Sequence, residues 1–242
     1  MINFINNLFK SKKETFKDKN NFKEIVSNKE IQDLFNSFST YSDEVELRFV
    51  GGCVRKLIND EIVDDIDLAT NIKPEIVIEI LKKNNIKFYT TGIDHGTITA
   101  VINNRTFEIT SLRKDVKTDG RHAKVEYTKN WLEDASRRDF TINSIYADID
   151  GNLFDPFNGK RDLNNGIVKF IGDPAIRIKE DYLRILRYIR FFLGYSKNQH
   201  NKNTIKTIKQ NLIGLKQVSN ERQLQELKKI ISTRSFEKIN SD

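Results

Sequence analysis

The sequence predicts an α+β fold: a mixed, partly antiparallel sheet with helices over residues 21–172, then an α-helical neck over 173–242. Strand-like runs crowd the first part, among them 47–50, 97–102 and 105–110. The pair Asn103-Asn104 between the last two reads as a hairpin turn, because asparagine tolerates positive φ. Beyond about residue 175 the apolar spacing becomes helical, in stretches at 181–192, 203–212 and 220–231.

Taken in order, residues 1–20 are rich in Asn and Lys and read as a flexible basic leader. Phe22, Ile25, Val26, Ile31, Leu34, Phe35 and Phe38 follow a broken helical pattern. Leu47-Arg48-Phe49-Val50 is a short strand that runs into Gly51-Gly52, and a helix of about two turns is expected at 53–59. The next strand carries Asp65 and Asp67. Side chains alternate along a strand, so these two carboxylates share one face while Ile66 and Leu68 turn to the core. Pro74 suits the first turn of a helix over 75–84. In the neck, Tyr182, Ile185, Leu186, Ile189 and Phe192 form an apolar stripe on 181–192. On 220–231, with Ser219 or Asn220 as its cap, Leu224, Leu227, Ile230 and Ile231 share a face.

Composition narrows the function classes. Charged residues make up 31% and hydrophobic ones 38% of the 242, which is globular with a wet surface. The net charge of +7 suits an anionic partner, although a solvated lysine surface alone would give the same balance. Cys53 is the single cysteine, so neither an intrachain disulfide nor a cysteine zinc site can form; a reducing cytoplasm fits. There is no membrane-length apolar run and no secretory signal pattern at the N-terminus. His95, His122 and His200 lack metal-ligand spacing.

Five groups of residues carry chemistry. Backbone N–H groups near Gly51-Gly52 can approach phosphate oxygens closely, and Arg55 can hold a triphosphate. Asp65 and Asp67 suit Mg²⁺, a hard cation that shares carboxylate ligands with substrate phosphates; solvated carboxylates are the plain alternative. Glu108, between core-facing Phe107 and Ile109, either completes a two-metal site or helps deprotonate an attacking hydroxyl. Arg137, Arg138, Asp139 and Asn143 form a polar cluster suited to triphosphate and ribose, or a helix start with solvated arginines. Asp181, Arg184, Arg187 and Arg190 recur at three-residue steps, either as a salt-bridged solvent face or as groups that read a base edge.

In this order the pieces resemble the class II tRNA nucleotidyltransferases, that is, the CCA-adding enzymes and the bacterial poly(A) polymerases. The stretches that match are Val50-Gly51-Gly52-Cys53-Val54-Arg55, Asp65-Ile66-Asp67-Leu68-Ala69-Thr70, His95-Gly96-Thr97, Phe107-Glu108-Ile109-Thr110, Arg113 and Asp119-Gly120-Arg121-His122. They continue through 137–143, Asp155-Pro156-Phe157-Asn158-Gly159 and 180–187 to Asn220-Glu221-Arg222. No single motif is decisive; the ordered set is highly specific.

The resemblance implies a polymerase-β-like head that adds C and A to tRNA 3′ ends from CTP and ATP. Asp65 and Asp67 would bind Mg²⁺ in a two-metal site, with Glu108 catalytic beside them. Gly51, Gly52 and Arg55 would meet the triphosphate. Arg137 or Arg138 would hold the nucleotide, and Asp139 and Asn143 would lie near its sugar. Asp181 and Arg184 would read the Watson–Crick edge, supported by Arg187 and Arg190. Residues 91–97 look like the CCA-adding branch, and 111–125 like the loop used to switch from CTP to ATP. An A-adding or poly(A) polymerase is the alternative. Two departures, Lys56 for the family's usual acid and Tyr182 for its usual proline, leave the carboxylate ligands intact. Family members continue into helical body and tail domains beyond the point where this sequence stops at Asp242. A minimal enzyme, a split enzyme completed by a separate C-terminal helical chain, and a weakly active RNA-binding remnant all fit that length.

Overall fold

The computed structural model describes residues 19–115, 125–197 and 199–233, so the expected leader (except residues 19 and 20) and most of the 111–125 loop lie outside the described residues. The strands are β1 (Leu47–Val50), β2 (Ile66–Thr70), β3 (Lys87–Tyr89), β4 (Thr97–Ile102), β5 (Arg105–Ser111), β6 (Arg113–Asp115), β7 (Val125–Tyr127), β8 (Tyr146–Ala147) and β9 (Leu153–Phe154). Contacts divide the chain into two compact units: residues up to Ala135 together with Ile145–Asp155, and Ser136–Ser144 together with the chain from Pro156 onward. The segments 136–144 and 156–172 thus group with the helices rather than with the sheet.

The first unit rests on a seven-stranded sheet in the order β3-β4-β5-β2-β1-β8-β9; β6 and β7 form a separate ribbon. Within the large sheet only β2 and β5 run parallel. The β4–β5 turn is Asn103-Asn104, at φ 48° and 63°, which matches the twist that a two-residue hairpin needs. Ile66 lies beside Phe107 and Leu68 beside Ile109 on the core face. That face is packed by α1 (Asn20–Ser27) and α2 (Lys29–Ser39), whose Phe22 and Phe35 rings sit 6.1 and 5.0 Å from Phe49. The break between the two helices falls at Asn28, whose side chain caps α2 by accepting from Glu30 N–H. The remaining helices of this part are α3 (Gly52–Ile58), α4 (Pro74–Lys83) and α5 (Trp131–Arg137).

The second unit holds α6 (Gly159–Asn164), α7 (Pro174–Glu180), α8 (Arg184–Tyr195), α9 (Lys202–Asn211) and α10 (Asn220–Ile231). Helix α8 is packed on two sides. Tyr188 and Phe191 meet Phe140 and Phe170, with Phe140 4.7 Å from Phe170 and 5.4 Å from Phe191. Leu186, Ile189 and Leu193 pack with Leu183, Leu215, Val218 and Ile230.

Three expectations for these helices are corrected. Helix α8 starts at Arg184, not residue 181, because Asp181 is extended (φ −154°, ψ 106°) and its carboxylate accepts from Leu183 N–H. Its buried residues are Ile185, Leu186, Tyr188 and Phe191 rather than the single predicted stripe, since a helix packed on two sides buries two. On α10, Leu224, Leu227 and Ile231 stay exposed at 53, 41 and 61%, and only Ile230 of the predicted face is buried. Glu226 is buried instead, drawn inward by Arg190.

Gly51 sits at φ 65°, ψ −119°, a conformation side-chain-bearing residues avoid, as β1 turns into α3. Gly51→Ala is expected to cost about 1–3 kcal/mol, lowering Tm by roughly 2–12 °C in a thermal melt. An unchanged Tm would show that the turn relaxes to an ordinary backbone conformation.

Candidate active site

One group of candidate residues grows from the sheet. Because Phe107 and Ile109 are buried, Glu108 must face away from the core, and the parallel register sets it directly beside Asp67. Thr99 of β4 flanks Glu108 on the far side. Asp65 precedes β2 by one residue; Asp65 and Glu108 are exposed and Asp67 is half-buried.

Helix α3 supplies the remaining groups. A Cβ on Gly52 would lie 3.8 Å from Arg55 Nη2 and 3.9 Å from Asp67 Oδ2, so a buried arginine and the carboxylate both border the bare glycine. Cys53 is buried beneath them, and burial together with the Asp67 charge pushes its thiol up to about 12. The expected convergence of Asp65, Asp67 and Glu108 is not seen as a cluster. Among the described residues no three His, Cys, Asp or Glu side chains are grouped to hold a metal. Asp65 and Asp67 still fit Mg²⁺, which takes one or two carboxylates and fills its other positions with water and phosphate oxygens.

The second unit carries the other predicted residues. Asp139 is buried and accepts from Arg187 Nε at 2.6 Å, Asn143 Nδ2 at 2.9 Å and Phe140 N–H at 2.8 Å. Burial raises the Asp139 carboxyl's pKa, but the Arg187 charge and these hydrogen bonds outweigh it and hold it below the usual range. Asp139 and Asn143, expected near the sugar, are therefore bonded to one another and to α8. Arg177 donates to the carbonyls of Arg137 and, at 2.7 Å, Arg138. Arg138 donates to the Asn143 carbonyl at 3.4 Å.

The expected base-reading face is tied down residue by residue. Arg184 donates to Glu180 and to the Arg177 carbonyl, both at 2.7 Å. Arg190 pairs with buried Glu226. Asp181 accepts from Arg222 Nη2 at 2.8 Å. Glu180, Arg222 and Glu226 were not anticipated as partners. The Glu180–Arg184 spacing of four residues was the one local signal available.

Comparison with known proteins follows the same lines. The family described as the poly A polymerase head domain matches residues 47–169. The chain is 49% identical to the Homo sapiens "CCA tRNA nucleotidyltransferase 1, mitochondrial", over 77% of this chain and 44% of that protein. It is 40% identical to the Lactobacillus helveticus "CCA-adding enzyme", over 76% of this chain and 46% of that one. The crystal structure of the Bacillus stearothermophilus CCA-adding enzyme in complex with CTP superposes with a TM-score of 0.75 at 30% identity, covering 89% of this chain and 50% of that one. The chain thus spans under half the length of these two curated relatives.

Asp139→Asn is expected to lose about 2–3 kcal/mol at neutral pH, because Arg187 is left largely buried opposite a neutral amide. The native carboxyl is depressed, so the pair's contribution is present above the unfolded carboxylate value and fades as pH falls through the folded one. Urea unfolding at pH 7 and below about pH 3 checks this. The gap between native protein and variant should shrink in acid, and an equal gap at both would contradict the assignment.

Proposed function

The chain belongs to the poly(A) polymerase head-domain family, and on that premise we propose that it is a nucleotidyltransferase that adds C and A to tRNA 3′ ends. One observation supports this most. Asp67 stands beside Arg55 across Gly52, and Asp65 lies two residues before it, on a sheet face left open by the β2–β5 register. The names and bound CTP of the relatives point to the same chemistry.

In the reaction the terminal 3′-hydroxyl oxygen attacks the α-phosphorus of CTP or ATP in line. The bond to the β-phosphate oxygen breaks, and pyrophosphate leaves. Arg55 and the backbone at Gly51-Gly52 hold the triphosphate, with Arg137 or Arg138 adding a guanidinium to the nucleotide. Asp65 and Asp67 would hold Mg²⁺, which when bound offsets phosphate charge and favours loss of the hydroxyl proton. Glu108 would accept the proton, and its position beside Asp67 in the sheet supports that role.

Asp181 and Arg184 choose the base. Cytosine and adenine both offer an exocyclic amine beside a ring-nitrogen acceptor, which a carboxylate and a guanidinium complement. Uracil and guanine would leave these groups mismatched. To engage a base, Asp181 shares or releases Arg222, and Arg184 does the same with Glu180. Buried Cys53 and the absence, among the described residues, of a helix long and apolar enough to cross a membrane are compatible with a cytoplasmic place of work. The mitochondrial names of several relatives make that organelle the competing location.

Purified protein, Mg²⁺ and a tRNA lacking its terminal CCA, offered labelled nucleotides singly and then CTP with ATP, test the reading. Extension by C, C, then A, and no further, is expected. Asp65→Ala with Asp67→Ala should lower the rate by at least about 10³-fold. An ATP-only ladder would reassign the protein to A or poly(A) addition. Silence would reject a self-sufficient enzyme in favour of an RNA-binding half. In an active enzyme, Asp181→Ala should relax rejection of UTP by about 10- to 100-fold; unchanged selectivity would remove Asp181 from base choice.

A further inference from the structure

Between Tyr182 and Asn220 the chain has eight Lys and Arg residues and no Asp or Glu. The three arginines, all on α8, are held by Glu180, Asp139 and Glu226. The lysines are a different matter. Lys202, Lys206 and Lys209 recur at steps of four and three along α9, so they form one ridge of the helix. All three are exposed, and none has a carboxylate partner among the described residues.

The ridge borders an open groove of about 770 Å³ floored by Phe192, His200 and Ile205. His200 is exposed and lies over Phe192 with ring centres 3.4 Å apart and planes 17° from parallel. Beneath it the Tyr188 hydroxyl lies 3.4 Å from His200 Nδ1. Helix α9 is held in place by Asn201, which accepts from Asn203 and Thr204 N–H, and by buried Ile208. A fixed line of point charges beside a flat aromatic plate is the arrangement by which proteins hold an RNA strand: lysines on phosphates, a base or sugar against the ring.

We infer that the α9 lysine ridge and the Phe192–His200 groove form a second RNA-binding surface, which grips the phosphate backbone of the tRNA outside the reacting 3′ end. The inference rests on the reading of tRNA as substrate and extends it to a surface with no part in the chemistry. RNA is favoured over an anionic membrane because the lysine ridge shares α9 with no exposed large apolar side chain that could enter lipid; the exposed Leu212 and Ile213 lie beyond the end of the helix.

Fluorescence anisotropy with a labelled tRNA transcript lacking CCA, titrated over a series of salt concentrations, tests it. The variant Lys202→Gln, Lys206→Gln, Lys209→Gln is compared with Lys73→Gln, Lys82→Gln, Lys83→Gln, which removes the same charge from the ends of α4. The α9 variant should flatten the slope of log Kd against log salt by about 2–3 units and weaken binding roughly tenfold or more at physiological salt. The α4 variant should leave the slope unchanged. His200→Ala should weaken binding several-fold without changing the slope. An unchanged slope in the α9 variant, or an equal drop in both, overturns the proposal, as does lysine-dependent binding to phosphatidylserine vesicles without lysine-dependent binding to tRNA. Anisotropy needs no catalysis, so the two readings fail separately. Lysine-dependent binding without CCA incorporation would reject the proposed reaction alone, and normal incorporation with an unaltered slope would reject the groove alone.

Discussion

The parallel pairing of β2 with β5 is the constraint on which the face carrying Asp67 and Glu108 depends. Ile66 beside Phe107 and Leu68 beside Ile109 put four apolar side chains on the packed face. The same alternation obliges Asp67 and Glu108 to emerge together on the other. A slip of β2 by one residue would turn Asp67 to the packed face and Ile66 and Leu68 away from it, so the hydrophobic effect that stabilises the core also selects the register of the acids. Gly51 then reverses the chain within a single residue after β1, and α3 brings Arg55 back to Asp67.

The second unit solves a different problem, that of holding many cations on one helix. Each α8 arginine is matched by a carboxylate from elsewhere in the unit: Glu180 on α7, Asp139 before α6, and Glu226 on α10. The pairs to buried Asp139 and Glu226 add little net stability over apolar packing, but losing one partner is costly, so they fix where α8 can lie. Asp181 is handled in the same way by Arg222. Among the cations that the ion pairs leave over are those of the α9 ridge, where lysine charge faces water and is available to an anionic polymer.

Much of the first unit was legible because its signals are local. Strand alternation sorted Phe107, Glu108 and Ile109 correctly, and Asn103-Asn104 marked the hairpin. Strands β8 and β9 are two residues each, too short for any periodicity to register. The neck was harder to read because distant partners override its local pattern. Arg190 and Glu226 are 36 residues apart and Asp181 and Arg222 are 41, beyond any helical window. Glu226 took an inward position that spacing alone gives to Leu227, and capping of Leu183 N–H by Asp181 moved the start of α8 by one turn. The candidate carboxylates were found from spacing, whereas their arginine was placed by the conformation of a glycine turn.

Asp65 and Asp67, presented together at the start of β2, should act as a cation-holding pair for a bound nucleotide. Crystals grown with Mn²⁺ and a non-hydrolysable CTP analogue test it most directly, through anomalous scattering from the metal. An anomalous peak is expected within coordination distance of both carboxylates and of the analogue's phosphate oxygens. Clear nucleotide density at Gly52 and Arg55 with no metal on Asp65 or Asp67 would contradict it.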